Sequence, residues 1–157
     1  METNIGITPD HLNEVVTSLS RLLADEFILY TKTRNGHWNV EGRDFHTMHI
    51  FFEEQYEKLD DVLDAVAERI RMLGRYAPAT MASYLSLTHL TEESHEKNNS
   101  VGFIAKLLAD HEYIIRMLRE DIARFANDFQ DFGTSDFITG LMETHESMAW
   151  KLRAHLK

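Results

Sequence analysis

The chain contains no cysteine, only two prolines in 157 residues, and no apolar run long enough to cross a bilayer. Without cysteine there are no disulfides and no thiolate metal sites, so a metal must be held by nitrogen and oxygen donors. With two prolines and seven glycines, the usual helix breakers are nearly absent, and long uninterrupted helices are easy to form. A bilayer span needs about 20 apolar residues, and a leader needs a basic-then-apolar start. Neither pattern is present, so the expectation is a cytoplasmic protein. Basic charge is also scarce: 16 Lys and Arg face 26 Asp and Glu, for a net charge of −10. The first twenty residues carry no Lys or Arg at all, and the one basic cluster is Lys151, Arg153 and Lys157, with His155 among them. Proteins that hold nucleic acid through its phosphates normally show a basic face or tail. An acidic surface instead draws in cations, which makes metal the better expected partner than DNA.

What the chain does have is helical periodicity from end to end. Thr8 as N-cap and Pro9 at the first helical position open a first helix running to about His37, with Leu12, Val15, Leu19, Leu22, Leu23 and Leu29 on its apolar stripe. After Gly42, a second helix runs from about Arg43 to Leu73 and buries Met48, Phe52, Tyr56, Leu59, Leu63, Val66 and Ile70. Residues 74–99 read as a long connection with a short helix near Met81 to Leu85. A third long helix spans about Ser100 to Asn127, and Gly133 and Thr134 are expected to cap a fourth. Short links make the first and last helix pairs antiparallel, and the long connection crosses between them. The fold class is therefore all-α, a ferritin-like four-helix bundle with a short extra helix in the connection between helices two and three. Residues 1–157 form a single domain.

The chemistry concentrates in His37-Trp38-Asn39 and in His49, Glu53, Asp64 and Glu68. Histidine with carboxylate is a ligand set for iron, manganese or zinc. On a helical wheel with His49 at zero, Glu53, Asp64 and Glu68 fall at about 40°, 60° and 100°, while the apolar residues cover roughly 220° to 340°. The ligand stripe thus lies beside the core face. A metal inside one bundle would want Glu-x-x-His pairs on two helices, and the only such spacing is Glu92 to His95, in the connection. His49 and Asp64 lie about 22 Å apart along the helix, far beyond the reach of one ion. A second copy of the helix, antiparallel about a two-fold axis near residues 56 to 60, brings His49 and Glu53 of one chain opposite Asp64 and Glu68 of the other. His37 can approach the same place. Taken alone, the dense acidic stripe reads equally well as a solvated face.

These residues also match a family pattern. His37-Trp38-Asn39-Val40, Gly42, Phe45, Met48-His49, Phe52-Glu53, Tyr56, Asp64 and Ala67-Glu68-Arg69 together resemble the Dps proteins, miniferritins of the ferritin superfamily. The likeness extends over nearly the whole helix layout. It implies a hollow homododecamer with ferroxidase sites at two-fold interfaces. In such proteins ferrous iron is oxidised, typically by hydrogen peroxide, and stored as ferric mineral, which limits oxidative damage. By this resemblance His37, His49 and Glu53 are the metal ligands from one subunit, and Asp64 and Glu68 those from its mate. The family frequently has Asp at the position of Glu53. Trp38 is similar to the family's tryptophan near the metal, a sink for a stray oxidising equivalent or an interface aromatic. His46, three residues before His49 on a similar face, is a candidate spare ligand at a position where the family usually has no His. The segment from Asp131 to Asp136 resembles the acidic lining of the family's iron-entry pores. Zinc or manganese can substitute for iron in such a ligand set. Family members often bind DNA through basic tails, which this N-terminus lacks. That leaves a nucleoid-associated, DNA-protecting protein as the alternative reading.

Overall fold

The first helix starts where its capping residues place it. The Thr8 hydroxyl accepts a hydrogen bond from the His11 amide at 3.3 Å, and Pro9 occupies the first turn. The computed structural model describes residues 3–92 and 98–157. The described residues form five helices: α1 Pro9–Asn39, α2 Phe45–Met72, α3 Met81–Leu87, α4 Ser100–Asn127 and α5 Phe132–Ala154. No strand occurs among the described residues, and none of their helices is long and apolar enough to cross a membrane. The expected Glu92–His95 spacing cannot be placed, because His95 lies outside the described residues.

Two antiparallel hairpins, α1 with α2 and α4 with α5, carry most of the packing. The crossover between them includes α3, which rests on α1. Phe52, Leu59, Ile70, Phe125 and Leu152 are at most 1% exposed and form the centre where the four long helices meet. The periodicity locates these faces well; in α4 the buried stripe includes Phe103, Ile104, Leu107, Ile114 and Leu118.

The start of α5 differs from expectation. Gly133 and Thr134 do not cap it; Asp131 does, its carboxylate accepting from the Thr134 amide at 2.9 Å and the Thr134 hydroxyl at 2.5 Å. Thr134 is thus a donor one turn inside the helix.

The turn between α1 and α2 is held from outside. The Glu41 amide donates to the Asn98 carbonyl at 2.7 Å, and the Ser100 hydroxyl donates to Asp44 at 2.5 Å. Gly42 has φ +136°, a conformation side-chain-bearing residues rarely adopt. This turn fixes the end of α1 against the beginning of α2, where the two candidate histidines lie.

Candidate metal centre

His37 lies in the last turn of α1, and its carbonyl has no helical partner. The amide that would have reached it, that of Glu41, is bonded to Asn98 instead. His49 uses that free acceptor: its Nδ1 donates to the His37 carbonyl at 2.7 Å. His37 returns the same bond, with its Nδ1 donating to the His49 carbonyl at 2.8 Å. The rings stack with centroids 3.8 Å apart and planes at 20°. A carbonyl only accepts, so each Nδ1 must carry a hydrogen, and each neutral ring keeps its lone pair on Nε2. Metal-binding histidines are oriented by this kind of outer hydrogen bond. Two imidazoles from two helices are therefore locked with a free donor atom each.

Glu53 is one helical turn beyond His49. The Tyr56 hydroxyl donates to its Oε1 at 3.3 Å, and the Tyr56 ring meets His37 edge to face at 5.2 Å. Partial burial and the negative charge of Glu53 push the Tyr56 hydroxyl above its usual range, so it remains a donor at neutral pH. His37 is nearly enclosed, while His49 and Glu53 are half-buried beside the core face.

Sequence reasoning missed the arginine behind this group. The Arg34 guanidinium lies 4.3 Å from the Tyr56 ring centre, 5.1 Å from Trp38 and 5.4 Å from Tyr30. It also donates to the Tyr30 hydroxyl at 2.7 Å. The only signal in the sequence is the helical spacing of Tyr30, Arg34 and Trp38, four residues apart. Trp38 itself is 62% exposed, so its outer face is uncovered in the protomer.

Asp64 and Glu68 are exposed and line a separate open groove with Asp60, Asp61, Phe27 and Tyr84. Among the described residues, no three His, Cys, Asp or Glu side chains gather as a metal site within the protomer. The five candidate ligands thus divide into His37, His49 and Glu53 on one side, Asp64 and Glu68 on the other. His46 is exposed in the first turn of α2.

Of the two expected pore residues, Asp136 is exposed but Asp131 is not. Asp131 is 2% exposed, occupied in capping α5, and 3.6 Å from the Arg69 guanidinium. Within the protomer this carboxylate is engaged in the helix cap rather than open at the surface.

The ferritin-like domain family matches residues 16–157. A low temperature-induced protein of Nostoc sp. is 44% identical over 98% of this chain and 86% of its own length. The DNA protection during starvation protein 2 of Bacillus anthracis is 34% identical over 91% of this chain and 97% of its own. Among solved structures, a Dps protein of Vibrio cholerae O1, described as a ferritin-like diiron-carboxylate protein, matches with a TM-score of 0.92. That match has 28% identity and covers 100% of this chain and 98% of the other. The chain belongs to the ferritin-like family and, within it, to the Dps proteins.

Proposed function

We propose that the protein oxidises ferrous iron at sites shared between two subunits and stores the ferric product inside a shell of twelve. The observation that carries this reading is the reciprocal His37–His49 lock, which leaves the Nε2 of each ring unused, with Glu53 one helical turn beyond His49. Half of a ligand set is thereby held ready at a surface, and the carboxylates suited to complete it, Asp64 and Glu68, stand on a different stretch of α2. A two-fold mate supplies Asp64 and Glu68 of the partner subunit.

In this reading ferrous iron is the substrate, and imidazole and carboxylate hold it with coordination positions open to the oxidant. Two ferrous ions lose one electron each, and one hydrogen peroxide with two protons becomes two waters. Paired electron loss avoids hydroxyl radical, so DNA is protected without being bound. The net charge of −10 supports a cation-collecting role over a phosphate-binding one. Asp136, exposed at the start of α5, is the candidate for guiding iron inward. Zinc or manganese should compete at the same ligands.

The test is complementation. His37→Ala and Asp64→Ala shells should each oxidise iron slowly with peroxide. Shells co-assembled from equal amounts of the two variants should recover about a quarter of the parent rate, because random pairing leaves that share of shared sites intact. If mixing restores nothing while both variants assemble normally, the site is not shared.

A further inference from the structure

The bundle core holds three ionisable side chains that the iron chemistry does not touch. Glu26 on α1, His145 on α5 and His111 on α4 are 0%, 0% and 1% exposed. They stand in line: Glu26 Oε1 is 2.7 Å from His145 Nε2, and His145 Nδ1 is 2.9 Å from His111 Nδ1. The other oxygen, Glu26 Oε2, is buried and has no hydrogen-bond partner among the described residues. An isolated charge in such a place is costly, so the number of protons in the line matters.

Among the described residues, the other buried charges are engaged elsewhere. On α1, buried Asp25 is turned to the 88–90 segment, where the Thr88 hydroxyl and His89 amide donate to it at 2.7 and 2.6 Å. Lys32 is paired with Asp110 of α4 at 2.5 Å, and His37 sits at the far end of α1. The buried face of α2 contributes no ionisable side chain, α4 buries only His111, and α5 only His145. α3 buries nothing.

We infer that Glu26, His145 and His111 form a buried proton-binding site that ties α1, α4 and α5 together near neutral pH and loosens them on acidification. With one proton shared between Glu26 and the imidazoles, the line is neutral and both hydrogen bonds are made. A further proton leaves a net positive charge in an apolar core. On the imidazoles it sets one Nδ1–H against the other and breaks the 2.9 Å bond; on Glu26 it removes the only countercharge. Burial, then repulsion from His145, holds the His111 imidazole well below the usual histidine value of 6.5. The unfolded chain therefore takes up this proton more readily than the folded one. The stability that depends on a neutral His111 is complete above 6.5 and is lost as pH falls below it.

Amide hydrogen exchange on the intact protein at about pH 7.5 and about pH 5.5, corrected for intrinsic rates, tests this. Peptides around Glu26, His111 and His145 should exchange at least about tenfold faster at the lower pH, while peptides around Leu59 of α2 change less. A uniform change, or none, overturns the site. His111→Gln keeps a polar side chain that cannot charge. Between those two pH values its unfolding constant should change about tenfold less than the parent's. An equal change in variant and parent would also overturn it. Neither readout involves iron, so the outcome is independent of the ferroxidase proposal.

Discussion

Tyr56 stands where the candidate centre meets the core, touching His37 with its ring and Glu53 with its hydroxyl. Replacing it with Phe keeps the ring and removes the bond that orients the carboxylate. Tyr56→Phe should weaken metal binding about tenfold, the usual scale for losing an outer partner of a ligand. It should cost stability no more than about 1 kcal/mol. An anaerobic iron titration beside a denaturation curve checks both; unchanged affinity would remove Tyr56 from the site. At this scale the sequence was informative about donor types and poor about their supports. His37 and His49 are legible because histidines within a carboxylate stripe are unusual. Their mutual hydrogen bonds are not, because they depend on a carbonyl freed at the end of α1 by Asn98, almost sixty residues away. The buried line of Glu26, His145 and His111 was equally hidden, since three helices must align before those residues meet.

Among the elements, α5 shows how a correct helix can be given the wrong beginning. Thr134 is an acceptable cap by type, yet it lies inside the helix and donates to Asp131, the actual cap. Two capping residues three positions apart compete, and the outcome was settled by Arg69 of α2, which reaches both Thr134 and Asp131. Asp131→Ala should therefore lower stability by roughly 2 kcal/mol, at the upper end for a lost cap. It should leave metal binding by the His37–His49–Glu53 group unchanged, and chemical denaturation with a parallel metal titration reads both. The long helices and their hairpin pairing were legible, because their apolar periodicity runs uninterrupted over seven or more turns.

For the whole molecule, the decisive quantity is how many chains assemble. Twelve copies of an 18.3 kDa chain give a particle of about 220 kDa, which light scattering after size separation measures directly. α3 buries none of its residues, and Met81 and Leu85 are 64% and 51% exposed. Apolar surface of this kind is expected to be covered when subunits meet. Leu85→Glu should thus shift the protein toward smaller species at micromolar concentration, and a particle of parental size would show that α3 takes no part in assembly. The fold of one chain was readable from its pattern, and the spacing of His49 and Asp64 along α2 already pointed to a second chain. The surfaces that would meet were not readable, because they depend on how the folded faces of two chains fit each other.

The handclasp between His37 and His49 carries one last consequence. Each ring is steadied by the backbone carbonyl of the other's residue, which replacement by alanine leaves in place. A single replacement therefore removes one nitrogen donor and the ring stack but keeps the hydrogen bond that orients the survivor. Iron affinity should accordingly fall in two steps, with the double replacement clearly weaker than either single one, and chance variation can pass through an intermediate that keeps part of the grip.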